Sequence, residues 1–344
     1  MRNSVFIIFF LVVLLDVASS SEIYNNKSGS IINLCGNINT YLNAKTGASN
    51  SKLTVGINGK TKINKNITGF SYLEFSSKTN ESGNLYNLAN VGIKVPKIGI
   101  INYGKNYILL HNINSWVNLS VSRKYEKNYV DEISKNLLTY TNNSFFNLID
   151  GLNFSLQYVG KSKTKIKNDI FRNHEGFGIY ADYNIGHGLI IGGAYSELNK
   201  SYKENESKNF RSWNGGAKYE TKNLYFAAMY GESENKFLKT DNNYIEQLNK
   251  EINGIKDFGF MVQYFFDNLH LKPSISYMKK KEKSLYGHNN KSKKKDLEKF
   301  ILINTIYFFN KDLTAMVDYK LNLLNDNNMS SERNSINFGI GYRF

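Results

Sequence analysis

The last ten residues of the chain alternate between apolar side chains and polar or small ones, which restricts the folds open to the sequence. The apolar ones are Ile336, Phe338, Ile340, Tyr342 and Phe344. The positions between them hold asparagine, glycine, glycine and arginine. Because successive side chains of a strand point to opposite faces, this segment is predicted to form a strand with one apolar and one polar face. A transmembrane β-barrel strand has this pattern, with its apolar face toward lipid, but so does a half-buried strand of a soluble sandwich.

The same period of two recurs along the chain, and the connections between the alternating segments differ systematically in length. Alternating segments occur at 153–158, 177–183, 213–219, 224–230, 258–264, 301–309 and 313–321. Short polar turns are predicted at 184–188, 220–223, 267–268 and 310–312, and long charged loops at 161–175, 197–211, 232–257 and 279–299. Short turns at one rim and long loops at the other are typical of an outer-membrane barrel, not of a sandwich. At about ten residues per membrane strand plus connections, the chain accommodates about sixteen strands.

Composition supports strands and excludes several kinds of site. Aromatic residues make up 14% of the 344 residues and prolines number only 2, as suits strands that use most of their backbone donors. The single cysteine, Cys35, excludes an internal disulfide framework, and the 5 histidines form no i, i+4 pair, so we expect no metal site and no cofactor. A net charge of +15 is compatible with an anionic membrane surface or with lysine accumulating in tolerant loops. We expect no nucleic-acid partner.

The first twenty residues have the features of a secretory signal. Arg2 supplies the positive start, residues 5–15 form an apolar run, and Ala18 begins a small-residue cleavage site before Ser21. The run is too short to span a bilayer comfortably, and no later segment approaches 18 apolar residues. We therefore predict a cleaved signal peptide at 1–20 and one exported β-barrel domain at 21–344.

Several motifs, in order along the mature chain, identify a family. They are SEIYN at 21–25, YGKNY at 103–107, FFNLIDGLNF at 145–154, LKPS at 271–274 and VDYKLNLL at 317–324. Together they resemble the general porins of Gram-negative enteric bacteria, which are trimeric outer-membrane channels. The aromatic carboxy terminus is similar to the assembly strand of that family, which here places Phe338, Ile340, Tyr342 and Phe344 on the apolar face.

The resemblance implies an architecture, a function and a set of partners. The expected fold is all-β, a 16-stranded antiparallel transmembrane barrel with short periplasmic turns, long external loops and a third loop folded inward. The expected function is passive diffusion of small hydrophilic solutes and ions across the outer membrane by a homotrimer. Lys105 matches an arginine that seats a loop of the neighbouring subunit, so it is a candidate trimer contact. Basic stretches at 279–283 and 293–295 are candidates to meet lipopolysaccharide phosphates, or they are solvated loop tips.

The residues at the narrowest part of the pore, the eyelet, depart from the pattern of this family. In these porins an acidic third loop faces a ladder of basic residues on the wall, which creates a transverse field. The matching loop positions here are Asn118, Ser122, Arg123, Lys124 and Glu126, of which only Glu126 keeps an acid. The matching wall positions are Asn37, Thr54 and Asn87, and none of them is basic. We expect an eyelet that is less cation-selective than the family norm; the alternative is charge drift without functional consequence.

Other functions of a surface barrel have less support in the sequence. An enzyme would need a histidine with a nearby acid or serine, yet His174, His187, His270 and His288 fall in or beside turns and loops without such a constellation. An autotransporter-type barrel would need a long passenger before the strands, which here begin almost at Ser21. A role as surface receptor or adhesin remains an alternative that is compatible with a pore. We therefore predict that the protein is not an enzyme.

Overall fold

The computed structural model describes residues 21–26, 29–78, 84–117, 133–166, 169–203, 206–237, 251–282, 296–324 and 334–344. The predicted signal peptide lies outside these residues. The strands in the described part are β1 Ser21–Asn25, β2 Ser30–Asn43, β3 Ser49–Lys62, β4 Thr68–Lys78, β5 Asn84–Val95, β6 Gly99–Tyr107, β7 Ile133–Asn142, β8 Leu152–Val159, β9 Ser162–Ile166, β10 Asp169–Gly186, β11 Leu189–Lys203, β12 Glu206–Glu220, β13 Leu224–Phe237, β14 Glu251–Tyr264, β15 Leu271–Glu282, β16 Asp296–Phe308, β17 Leu313–Asn322 and β18 Ser335–Arg343. None of the helices in the described ranges is long and apolar enough to cross a membrane.

The strands close into a ring of sixteen positions. From β2 to β8 each strand pairs antiparallel with the next, β8 pairs with β10, and the order then continues to β18. β18 pairs with β2 and so completes the ring. β1 extends the edge of β18 along β2, and β9 extends β8 along β10, so these pairs fill one position each. The predicted 16-stranded antiparallel barrel is confirmed.

The two faces of the strands confirm which side is apolar. On β18 the side chains of Phe338, Ile340 and Tyr342 are 49%, 60% and 50% exposed, whereas Gly339 and Gly341 are buried. The same division holds on β10, where Phe177, Ile179 and Tyr183 are exposed between buried or half-buried inner positions. A closed ring that carries its large apolar side chains on the outside is suited to lipid and not to water. The soluble-sandwich alternative is therefore wrong.

The two rims differ as expected, but the long-loop rim is more regular than the sequence suggests. Short turns at 96–98, 187–188, 221–223 and 309–312 join strands at one end. At the other end the loop predicted at 197–211 is largely strand, because β11 and β12 stay paired up to Lys203 and Glu206. The loop predicted at 161–175 is likewise mostly the β9–β10 hairpin, with only 167–168 between the two strands. These polar residues pair through their backbones and through contacts such as the 3.4 Å ion pair between Arg211 and Glu197.

Candidate functional site: the third loop and the inner wall

The first part of the third loop turns into the barrel directly after β6. A helical turn, α1, spans His111–Asn114, and a 3-10 turn follows at Ser115–Val117. The Asn214 amide on the inner face of β12 donates hydrogen bonds to the Leu110 carbonyl and to Asn114 Oδ1, both at 2.8 Å. Since these contacts join the loop to the lumenal face of a wall strand, residues 108–117 fold inward as predicted.

The loop rests on a patch of the inner wall that is apolar. This patch, here called the lumenal apolar cluster, comprises Tyr180, Ala194, Tyr225, Ala227, Met229, Met261, Met278, Phe300 and Leu302, packed with Ile108, Leu109, Leu110, Ile113, Trp116 and Val117 of the loop. These wall residues take the strand positions that were expected to be polar. The cluster buries the apolar side of the loop against β10 to β16, and it therefore fixes where the loop sits.

Trp116 has the largest side chain in the lumenal apolar cluster. It is 3% exposed, and its carbonyl accepts a 2.7 Å hydrogen bond from the Tyr225 hydroxyl. The Lys218 ammonium lies 5.7 Å from the centre of its ring, within the range of a cation–π contact. Glycines on the wall allow this close approach: a Cβ at Gly192 would lie 3.0 Å from Trp116 Cη2, and one at Gly259 would lie 2.7 Å from Val117 Cγ2.

The lumenal apolar cluster was not predicted, although the sequence of β13 contains a signal for it. Between the outward Phe226, Ala228 and Tyr230 of β13 stand Ala227 and Met229, so both faces of this strand are apolar. A barrel strand that is apolar on both faces must be covered on its lumenal side as well. Because the interior of a porin is usually polar, a covered apolar patch on the inner wall was not expected.

Two of the three predicted wall residues lie side by side on β2 and β3, in a part of the inner wall outside the lumenal apolar cluster. Asn37 of β2 is directly opposite Thr54 of β3. Asn37 Oδ1 accepts a 2.8 Å hydrogen bond from Asn39, and the Thr54 hydroxyl is 2.8 Å from the Ser76 hydroxyl of β4. At these positions the wall is polar and neutral.

The third predicted wall residue, Asn87 of β5, is at a strand position opposite an outward-facing residue. The backbone of Asn87 pairs with Phe75, whose side chain is exposed on the outer face. The side chain of Asn87 lies outside the described part of the structure. The neighbouring Leu88 pairs with Glu74 and is buried on the inner face.

Two lysines that were not among the predicted site residues face the lumen close to Thr54. Lys52 of β3 and Lys78 of β4 are cross-strand partners, and they are 4% and 7% exposed. Each lies two residues from the Thr54–Ser76 pair, toward the rim of the long loops. Glu74 also faces the lumen, two residues to the other side, and accepts a short hydrogen bond from Tyr72. Because alternate residues of a strand share a face, a lumenal Thr54 predicts that Lys52 also faces the lumen.

The remaining predicted site residues are placed as follows. Asn118, Ser122, Arg123, Lys124 and Glu126 lie outside the described residues. Lys105 of β6 is half-buried and pairs with Ala89, whose side chain is exposed on the outer face. The backbone of Phe344 exchanges two hydrogen bonds with Gly36, of 2.8 and 3.0 Å. Within the described ranges, no group of three or more His, Cys, Asp or Glu side chains is placed to hold a metal ion.

Comparison with known proteins gives consistent matches over nearly the whole chain. A family model described as Gram-negative porin matches residues 32–344. Outer membrane porin F of Xenorhabdus nematophila is 32% identical over 372 aligned residues and 100% of both chains, and outer membrane porin F of Salmonella typhi is 32% identical over 95% of each. A solved structure of Salmonella typhi OmpF in complex with daunomycin has a TM-score of 0.78 and 30% identity, covering 94% of this chain and 100% of that one. The chain therefore belongs to the Gram-negative porin family, whose members form passive-diffusion channels in the outer membrane.

Proposed function

We propose that this porin conducts small hydrophilic solutes and ions as a homotrimer, through an eyelet with less cation preference than is usual in its family. Passive diffusion across the outer membrane follows from family membership, which also favours a channel over an enzyme, an adhesin or an autotransporter barrel. The trimer is supported by the porin relatives, and within it Lys105 is the candidate subunit contact. Cleavage of residues 1–20 is part of the same proposal.

The Lys52–Lys78 pair is the observation that carries the proposed selectivity. Asn37 and Thr54 are neutral, and the charged side chains described beside Thr54 on the lumenal face are the two lysines and one acid, Glu74. At the loop positions that match the family motif, Arg123 and Lys124 stand against one acid, Glu126, while 108–132 as a whole has three basic residues and three acids. A unit charge about 4 Å from a passing ion contributes roughly 1 kcal/mol in a water-like medium and about 4 kcal/mol at an intermediate dielectric. The excess of two lysines over one acid at this part of the wall is therefore expected to lower the ratio of cation to anion flux.

The test is a reversal potential in a planar bilayer under a KCl gradient. We expect the native protein to show little cation preference, and the double variant Lys52→Gln/Lys78→Gln to shift several-fold toward cations. Lys311→Gln is the matched control, because Lys311 is exposed in the short β16–β17 turn away from the inner wall. A clear cation preference of the native protein, or no shift in the double variant, contradicts the proposed selectivity and leaves the channel function intact.

The outer face near the long-loop rim carries a basic patch that supports lipopolysaccharide as a partner. Lys256 of β14 is opposite Lys281 of β15, and Lys279 of β15 is opposite Lys299 of β16. Like charges directly opposite each other on one face are destabilising. Glu232 lies 3.0 Å from Lys256, and Asp296 lies 3.7 Å from Lys279, so two of these four cations have an ion pair with an acid among the described residues. Phosphate groups of the outer leaflet are the anions expected to balance them. The candidate stretch 293–295 lies outside the described residues.

Lipopolysaccharide binding should weaken when the excess cations of this patch are removed. We expect Lys281→Gln/Lys299→Gln to retain less lipopolysaccharide through purification than the native protein, with a stronger loss at high salt, where surface charges are screened. Lys222→Gln is the control, because Lys222 lies in the β12–β13 turn at the opposite rim and pairs there with Asp267 at 2.8 Å. Equal retention by all three proteins would remove the patch as a lipopolysaccharide site.

A further inference from the structure

The turn between β7 and β8 has an unusual backbone. Ser144, Phe145, Phe146 and Asn147 all have positive φ angles, of 55°, 41°, 59° and 63°. L-residues other than glycine adopt this left-handed conformation rarely and singly, because the Cβ approaches the following carbonyl. All four consecutive residues therefore have left-handed φ angles, and the ψ angles of Phe145 and Phe146, 66° and 26°, lie near the same region. Such a conformation persists only where the surroundings impose it.

Hydrogen bonds from both flanking strands impose it here. Asn142 at the end of β7 accepts a 2.6 Å hydrogen bond from the Phe146 N–H, and its amide donates a 2.6 Å bond to the Ile98 carbonyl in the neighbouring turn. The Tyr140 hydroxyl donates to the same carbonyl at 2.5 Å, and Asn153 of β8 accepts from the Ser144 N–H at 3.2 Å. The turn is thereby tied to a second turn and to β8.

The turn brings two phenylalanines onto the outer wall of the barrel. The rings of Phe145 and Phe146 lie 5.7 and 5.8 Å from the ring of Phe154, and Phe154 lies 5.9 Å from Tyr140. Tyr140 and Phe154 alternate with the lumenal Thr139 and Ser155, so they belong to the outer face. The four aromatic rings therefore form one cluster at the short-turn rim.

Further apolar side chains project beyond this cluster. Leu148 is 77% exposed, and Phe146, Ile149 and Ile98 are also exposed. Asp150 is the one charged residue in the segment 143–151. This apolar surface is continuous with the lipid-facing residues Leu138 and Leu156 of the same two strands, which are exposed on the outer wall. Rings and aliphatic side chains of this kind are suited to the boundary between lipid headgroups and acyl chains.

We propose that the left-handed β7–β8 turn is a rigid anchor that inserts into the headgroup–acyl boundary of the inner leaflet of the outer membrane. The partner is the phospholipid surface at the periplasmic side, where the short turns of a porin lie. The strained backbone presents the apolar side chains in one fixed arrangement. A flexible loop with the same residues would have to be ordered each time it met the lipid.

The depth of a spin label tests the partner. In a Cys35→Ala background, Leu148→Cys carries the label in the trimer reconstituted in phosphatidylethanolamine and phosphatidylglycerol vesicles, with Ile149→Cys as a second position. Ile340→Cys marks the lipid-facing wall, and Lys311→Cys marks the aqueous rim. We expect the label at 148 to be accessible to oxygen and shielded from a nickel chelate, at a depth between the two markers. Nickel accessibility equal to that at 311 overturns the proposal. So does protection from both reagents that is lost when the trimer dissociates, which would indicate a subunit contact.

The mobility of the same label tests the rigidity. Asn142→Ala removes the side chain that bonds both Phe146 and Ile98 and leaves every apolar residue in place. We expect the spectrum of the label at 148 to narrow in this variant, while unheated electrophoresis still shows a folded trimer. An unchanged line shape would mean that the hydrogen bonds of Asn142 do not hold the turn, and it overturns the rigid-anchor part of the proposal.

Discussion

Trp116→Ala is expected to raise the single-channel conductance and its noise while the barrel stays folded. Deleting a buried tryptophan ring from a packed site costs on the order of 3–5 kcal/mol. The inward part of the loop is also held by the other apolar side chains of the lumenal apolar cluster, such as Ile113 and Val117, and by three described hydrogen bonds from Asn214 and Tyr225. Each of these hydrogen bonds contributes roughly 0.5–1.5 kcal/mol. Losing the ring therefore removes about as much as these three hydrogen bonds provide together. The loop is then held by the smaller apolar side chains and the hydrogen bonds, so we expect it to leave the wall for part of the time.

Trp213→Ala is the matched control, since the described residues include both tryptophans of the chain. Trp213 faces outward, is 45% exposed and lies 5.6 Å from the Tyr230 ring, away from the loop. Its loss should leave the conductance unchanged. Should Trp116→Ala fail to fold, Tyr225→Phe removes only the hydrogen bond to the Trp116 carbonyl and should change the conductance in the same direction by less. Native conductance in both Trp116→Ala and Tyr225→Phe would mean that the lumenal apolar cluster does not hold the loop.

The architecture was predictable because the alternation of side chains reports directly on the lipid-facing face. The turns expected at 184–188, 220–223 and 310–312 coincide with the ends of β10, β12 and β16, since polar residues there interrupt an apolar face. The hairpins at 161–175 and 197–211 were mistaken for loops. Above the membrane both faces of a strand meet water, and a polar strand then has no alternation to reveal it.

The candidate site was less predictable, because an alternating pattern gives the face of a residue but not what covers it. The resemblance assigns Asn37 and Thr54 to the pore wall, and in the barrel they are direct cross-strand partners. The apolar residues at the inner positions of β13 are explained only by the third loop, which packs on them. A family match also compares only the positions that carry charge in the relatives. It therefore did not indicate Lys52 and Lys78, which lie two residues from Thr54 and Ser76.

Gly36→Ala is expected to destabilise the closure of the barrel between β2 and β18. Gly36 exchanges backbone hydrogen bonds with Phe344, and the aromatic ring lies directly over it. A Cβ at Gly36 would come 2.4 Å from Phe344 Cζ and 2.8 Å from the Thr54 carbonyl oxygen, so the ring and the backbone would both have to move. Overpacking of this kind costs roughly 1–3 kcal/mol. The cost falls on the pairing of β2 with β18 that closes the ring, so we expect a lower yield of closed barrel.

The measurement is the yield of heat-modifiable barrel after refolding in detergent, together with the midpoint of urea unfolding. Gly215→Ala is the control, because the nearest heavy atom to its new Cβ would be 3.6 Å away, an ordinary contact. We expect Gly215→Ala to fold like the native protein and Gly36→Ala to fold in lower yield. Phe344→Ala in the Gly36→Ala background relieves the contact with the ring, so the loss in the double variant should be smaller than the sum of the single losses. Additive losses would show that the ring of Phe344 does not press on Gly36 at the closure of the barrel.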